Sequence, residues 1–146
     1  MRARELMTKD PACVTPDDTL QRVAQLMAEN DCGCIPVVEG GSQSRIVGVV
    51  TDRDIALRAV ARGKSADAVV ADVMSREVAC CEADADLRTV ERTMSDRQIR
   101  RVVIADADGC CVGILSQADL ARAAARGQEV EEREVARVVE SISQPT

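Results

Sequence analysis

The sequence predicts an α/β (α+β) fold in which two β-α-β-β-α repeats pack together as one pseudo-two-fold body. Three observations carry that expectation. The chain matches itself: Met7-Thr8 falls on Met74-Ser75, Leu20 on Leu87, Met27 on Met94, Val37-Val38 on Val103-Ile104, and Gly48, Thr51 and Asp54 fall on Gly113, Ser116 and Asp119. The offset shortens along the chain, as expected for one fold with trimmed turns. Apolar spacing switches between strand-like and helix-like periods in the same order in both copies. Finally, 146 residues is the length of one compact domain, which buries roughly two-thirds of its unfolded surface. Neither copy alone can cover both faces of its small sheet, so the two are expected to pack on each other. The expected division is repeat 1 over residues 1–66, repeat 2 over 67–127 and a tail over 128–146.

In each copy a short apolar strand comes first, ACVT or VACC, followed by Pro16-Asp17-Asp18 or Ala83-Asp84-Ala85-Asp86, acidic stretches suited to capping the next helix. That helix runs from about Thr19 to Glu29 with Leu20, Val23, Ala24 and Met27 on one face, and Leu87, Val90 and Met94 repeat the pattern. Ile35 to Val38 reads as a strand, EGGSQS as a turn and Arg45 to Val50 as its hairpin partner. Arg101 to Ile104, ADADG and Cys110 to Leu115 do the same. A second helix follows each hairpin and stops near Gly63 and Gly127. KSADAVVADV links the copies. The tail QEVEEREVARVVESIS reads as an extra helix with Val130, Val135, Val138 and Val139 apolar, either a packing cap or a dimer contact.

The composition narrows the function. With no Phe, Tyr or Trp, the core must be aliphatic, and no aromatic platform exists for stacking bases. Twenty-five acidic against 19 basic residues give a net charge of −6, which repels phosphate backbones overall and disfavours nucleic-acid binding. No apolar run reaches membrane-spanning length, and MRARELMTKD lacks the apolar stretch of a signal peptide, so the expectation is a cytoplasmic protein away from membranes. The seven cysteines, Cys13, Cys32, Cys34, Cys80, Cys81, Cys110 and Cys111, contain no C-x-x-C, and the chain has no His. They are expected to be small hydrophobes in the core and not metal ligands, with no metal site foreseen. A thiol switch at Cys80-Cys81 or Cys110-Cys111 is disfavoured by the strain of vicinal disulfides.

The informative stretch is GVVTDRD (48–54), repeated as GILSQAD (113–119). Thr51 and Ser116, each with an acid three residues on, form the capping-box pattern that organises helix starts. Capping leaves unexplained why an apolar strand and a glycine recur in register with the cap. A helix N-terminus offers N–H groups and partial positive charge to a phosphate, assisted by the Thr51 or Ser116 hydroxyl. One turn on, the carboxylate of Asp54 or Asp119 can accept ribose hydroxyls, while Gly48 and Gly113 let a ligand approach the strand. Adenine can then lie between aliphatic side chains. Arg53, inside the first motif, and Arg100 and Arg101, before the strand at 102, read as solvated surface or as a phosphate clamp.

These marks, LMT, VTPDDTL, GCIPVV and IVGVVTDRD in the first copy with VMS, IRRVVI and CVGILSQADL in the second, resemble the cystathionine-β-synthase (CBS) domain, whose tandem pair is called a Bateman module. The resemblance spans about Leu6 to Ala124. It implies a flattened pseudo-symmetric module with two clefts between the copies that bind adenosine-containing ligands, and a tendency to dimerise. It further implies Thr51 and Ser116 as phosphate-side hydroxyls, Asp54 and Asp119 as ribose carboxylates, and the segments around Val14-Thr15 and Cys34-Ile35-Pro36 as walls of the base slot. The copies depart from one another where Val102 stands in place of Pro36, and where Cys81-Glu82-Ala83 replaces Thr15-Pro16 and brings an acid near the second site.

The expected function is a stand-alone regulatory module, not an enzyme, that binds AMP, ADP, ATP, NAD or S-adenosylmethionine and signals to a regulated partner protein as a homodimer. The chain has no His, P-loop, G-x-S-x-G or Cys-His pair for catalysis. The alternative is a ligand-free dimeric scaffold. Because Arg53 adds positive charge to the first motif while Gln117 is neutral, phosphate is expected to prefer the site containing Thr51.

Overall fold

The computed structural model describes every residue except 40, 42–43, 128–131 and 144–146. Along the chain come α1 (Ala3–Leu6), β1 (Thr8–Lys9), α2 (Leu20–Asn30), β2 (Cys34–Glu39), β3 (Arg45–Thr51) and α3 (Asp52–Asp54), continued by a π-helical stretch, Ile55–Ala59, and a 3-10 turn, Val60–Arg62. A 3-10 turn at Val70–Asp72 leads to β4 (Cys80–Glu82), α4 (Leu87–Arg97), β5 (Arg101–Ala105), β6 (Cys111–Ser116), α5 (Gln117–Ala125) and α6 (Glu132–Ser143). The mixed α/β order is the expected one. Most of the EGGSQS turn and Val130 fall outside the described residues.

The chain forms two compact units, and they interleave the repeats. One comprises Pro11–Val78 with Asp108–Cys111; the other comprises Met1–Asp10, Ala79–Ala107 and Val112–Thr146. We call them the first-repeat and second-repeat units. A cut near residue 66 marks where the sequence pattern restarts, but the compact bodies are divided elsewhere. Each repeat lends its leading residues to the hairpin of the other. β1 pairs antiparallel with β6, Thr8 opposite Ile114, and Ser75 bridges Val49 on β3 through reciprocal 2.9 Å hydrogen bonds.

In the second-repeat unit the strand order is β1-β6-β5-β4, with β4 parallel to β5 and Cys81 opposite Ile104. In the first-repeat unit the expected strand ACVT shrinks to one parallel bridge, Val14 to Val37. Prolines explain the difference. The Val14 N–H donates to the Pro36 carbonyl (3.1 Å), and Val38 N–H donates to Val14 (2.8 Å). The next bond in either direction would need an N–H on Pro36 or Pro16, and neither has one. In the second copy the matching bonds form, Val103 to Ala79 (3.1 Å) and Ala83 to Ala105 (3.3 Å). This pairing also places Val103, not Val102, at the position of Pro36.

The helix caps differ between copies. Thr19, not the preceding acids, caps α2 by accepting from the Arg22 N–H (3.2 Å), whereas Asp86 caps α4 by accepting from Thr89 N–H (2.8 Å). Asp18 instead closes the preceding turn through the Thr15 N–H (2.7 Å). The helix expected over 52–62 is present but widens into the π stretch, where Val60 N–H donates to both Ala56 and Ile55 carbonyls. It ends at Gly63, whose φ of 73° suits only a residue free of Cβ strain.

Each unit has an aliphatic core. In the first-repeat unit Val14, Leu20, Val23, Ile35, Val37, Val50 and Val70 are buried together. In the second, Leu87, Val90, Met94, Ile104, Leu115 and Leu120 are joined by Val135 and Val138 of α6. The tail helix is therefore a packing cap on this unit, as its apolar spacing allowed.

Candidate functional site

Both strand-to-helix junctions fold as the repeated heptapeptide dictates. At the first, Thr51 Oγ1 accepts from the Asp54 N–H and Asp54 Oδ2 accepts from the Thr51 N–H, both at 3.0 Å. At the second, Asp119 Oδ2 accepts from the Ser116 N–H and the Ser116 hydroxyl, both at 2.8 Å, and Ser116 Oγ accepts from Asp119 N–H at 3.2 Å. The capping boxes are complete. Each leaves one carboxylate oxygen, Oδ1, beyond the cap, and an arginine meets it: Arg58 Nε lies 3.8 Å from Asp54 Oδ1, and Arg122 donates to Asp119 Oδ1. Both carboxylates are only 16% exposed. The sequence reading missed Arg58 and Arg122, although their spacings of four and three residues from the acids signal such pairs. Arg58 also donates to the Val73 carbonyl at 3.3 Å.

The expectation of free N–H groups at the helix start needs correction in the first-repeat unit. The Asp52 N–H donates to Gly33 (3.0 Å), Arg53 N–H to Asp52 Oδ1 (2.8 Å), and Asp54 N–H to the Thr51 hydroxyl oxygen. In the second-repeat unit Gln117 N–H donates to Arg100 (2.8 Å), and among the described residues the Ala118 N–H has no hydrogen-bond partner. Gln117 Oε1 is buried and has no partner among the described residues. The junctions thus offer different donors to an anion: the Thr51 hydroxyl hydrogen in one, a backbone N–H in the other, where the Ser116 hydroxyl is already spent on Asp119. The Asp52 carboxylate stands beside Arg53 and offsets the positive charge that favoured the first site.

Gly48 and Gly113 also have a different role from the one expected. A Cβ on Gly48 would lie 2.7 Å from the Ser75 carbonyl oxygen and 3.2 Å from Met74 Sδ. On Gly113 it would run into Met7 Sδ and lie 3.0 Å from the Thr8 carbonyl oxygen. The space beside each glycine is filled by the lent leading segment, so these glycines admit the chain's own backbone and not a ligand.

The residues expected as base-slot walls lie mostly in the core. Val14 and Ile35 are 2% and 0% exposed and belong to the core, and Cys34 and Pro36 are also buried, so of that group only Thr15 presents its side chain to solvent. Cys34 sits opposite Thr51 in the β2–β3 ladder, which brings this segment to the junction. Arg53, Arg100 and Arg101 are exposed and form no ion pair among the described residues. Glu82 is exposed on β4. Among the described residues no three His, Cys, Asp or Glu side chains cluster as metal ligands, and no helix is long and apolar enough to cross a membrane.

Two sheet-and-helix units, each with a hydroxyl–carboxylate cap at its second helix, define a tandem-repeat protein with duplicated junctions. The CBS domain profile matches residues 3–60 and 70–126, and the chain belongs to that family. It is 40% identical to the CBS domain-containing protein YhcV of Bacillus subtilis over 118 residues, 81% of each chain. It is 33% identical to Hypoxic response protein 1 of Mycobacterium tuberculosis over 121 residues, 82% of each. The crystal structure of that protein with two coordinated zinc ions superposes with a TM-score of 0.75, covering 84% of this chain and 98% of that one. The CBS domain protein PAE2072 from Pyrobaculum aerophilum, complexed with AMP, gives a TM-score of 0.77 at 26% identity, covering 96% and 99%.

Proposed function

We propose that this chain is a stand-alone regulatory CBS pair that binds an adenine nucleotide, or another adenosine-containing ligand, at its strand-to-helix junctions and signals to a partner protein. The observation that carries this reading is the duplicated carboxylate. Asp54 and Asp119 each keep one oxygen for the cap and turn the other outward from it at low exposure beside an arginine. A ribose hydroxyl can donate to that oxygen, while Arg58 or Arg122 sits within reach of a phosphate. The AMP complex of PAE2072 supports the ligand class. Leu57 and Val60, 50% and 69% exposed on the helical stretch after Asp54, support a homodimer built on that stretch. Light scattering at micromolar concentration should return twice the chain mass, and a monomer would remove the dimer.

The ligand is tested by melting the protein with AMP, ADP, ATP, NAD or S-adenosylmethionine, followed by circular dichroism because the chain has no Trp or Tyr. A specific ligand raises the midpoint with the logarithm of its concentration above Kd, by about 2.7 kcal/mol of stability at a hundredfold excess. If none of the five shifts it, the ligand-free scaffold stands instead.

A further inference from the structure

Helix faces that correspond by repeat are covered in one unit and open in the other. On α2 and α4 the inward positions match, Leu20 with Leu87, Val23 with Val90 and Met27 with Met94, all buried. The neighbouring face does not match. On α4, against which α6 packs, Glu91 is buried and Ser95 half-buried, and the Ser141 hydroxyl of α6 donates to the Ser95 carbonyl (3.4 Å). Their counterparts on α2, Ala24 and Ala28, are exposed. The second helix of each copy diverges in the same sense. Between Asp54 and Gly63 the first copy carries one residue more than the second carries between Asp119 and Gly127, and both glycines follow their helices at positive φ. The π-helical stretch Ile55–Ala59 absorbs the extra residue. Counted back from the glycines, Ala59 falls on Ala123, both buried, and Val60 falls on Ala124. Ala124 is 7% exposed, in the core that Val135 and Val138 of α6 join, whereas Val60 is 69% exposed. One helix, α6, reaches both α4 and α5, so the counterpart residues Ala24, Ala28 and Val60 lie within one helix's breadth of each other.

We infer that a second copy of this chain docks on the open face of the first-repeat unit, and that α6, by closing the corresponding face of the second-repeat unit, confines the pair to that single contact. The inference rests on the dimer proposed above and specifies its surface. The face is helical and aliphatic, and α6 shows that a helix of this chain fits its counterpart. Its rim carries both signs: Arg22 and Glu29 are exposed on α2, and Asp52 and Arg62 at the two ends of the second helical stretch. Under a two-fold axis the same patch meets itself, so aliphatic side chains face aliphatic side chains, and the acids of one copy have the arginines of the other to meet. A nucleic acid or an anionic membrane would call for a rim of one sign. The extra residue in the first copy serves this contact, because it turns outward a valine at the position where the second copy buries an alanine.

The test follows amide hydrogen exchange along the full wild-type chain at concentrations above and below the dimer dissociation constant, with light scattering on the same samples. Association should slow exchange in residues 19–30 and 52–62 by about tenfold, and leave 87–97, 117–125 and 132–143 unchanged. Val60→Lys, at a site open enough to tolerate the change, should raise the dimer dissociation constant about a hundredfold, because a two-fold contact meets the substitution twice at about tenfold each. Arg137→Glu, exposed on α6, should leave the mass of the pair as it is. The wild-type exchange pattern decides the matter even if a variant folds poorly. Protection of α4, α5 or α6 on association, a Val60→Lys chain that pairs at wild-type strength, or a wild-type monomer at micromolar concentration would each overturn the inference. A monomer whose melting midpoint still rises with AMP overturns it while leaving the nucleotide-binding reading in place.

Discussion

Replacing Asp54 separates the helix cap from the ligand contact, because the two tasks use different oxygens. In Asp54→Ala the Thr51 N–H loses its 3.0 Å acceptor and Arg58 loses its 3.8 Å partner. A lost cap costs about 1 kcal/mol, and an ion pair with a half-exposed arginine adds roughly 0.3–0.5 kcal/mol. On a domain of this size the sum lowers the melting midpoint by about 3–6 °C. Asp54→Asn keeps an amide oxygen to accept from Thr51 and removes only the charge, so its midpoint should fall by no more than about 1–2 °C. If the carboxylate also binds a ribose, the Asn variant still loses a charge-assisted bond of roughly 1.5–3 kcal/mol, ten- to a hundredfold in affinity. Calorimetric titration of AMP into wild type, Asp54→Asn and Asp119→Asn, beside thermal melts of each, reads both quantities. Full AMP affinity in both folded Asn variants would show that the repeated heptapeptide is a helix cap and nothing more, and the functional reading would fall with it.

Three other outcomes are expected. Gly48→Ala should destabilise by about 1–3 kcal/mol, because the new Cβ meets a backbone carbonyl that cannot turn aside; an unchanged denaturant midpoint would restore the glycine to the ligand's use. Asp52→Ala removes a carboxylate at the helix start and frees the Arg53 N–H, so ATP should bind about two- to fivefold tighter, as expected for a charge of roughly 0.3–1 kcal/mol at a helix start; equal or weaker binding argues that no phosphate sits there. The Thr89 N–H and hydroxyl hold the Asp86 carboxyl below its ordinary range. Its contribution is therefore full above that range and lost as pH falls through the lowered value. Asp86→Asn should flatten this acid limb, so that the melting difference from wild type shrinks towards low pH.

Local and periodic features were legible in the sequence. The two repeats, the hairpins, the capping boxes at Thr51-Asp54 and Ser116-Asp119 and the apolar face of the tail helix all follow from spacing within a few residues, and they appear where spacing put them. What failed was non-local. Nothing in the glycines' own neighbourhood reveals that Met7-Thr8 and Met74-Ser75 return to lie against them. The truncated strand at Val14 lay between: both prolines were visible, but their effect emerges only once register shows which N–H the ladder needs. Arg58 and Arg122 were readable by helical spacing alone. Asp52, exposed and directly before Arg53, is equally readable in the sequence as a charge that offsets it.

The lending of Met7-Thr8 to β6 and of Ser75 to β3 bears on synthesis as well as on shape. A chain emerging from the ribosome presents its first ten residues long before β6 exists, so α1 and β1 must wait unplaced until residues beyond 112 have been made. The first-repeat hairpin is served sooner, because Met74-Ser75 follows it closely. Its unit still lacks residues 108–111 until late. Contacts of such long sequence separation slow folding. A fragment ending at residue 66 would leave Gly48 uncovered and β3 with a bare edge, the kind of edge that recruits another chain. Translation pauses between the repeats should therefore favour association between nascent chains.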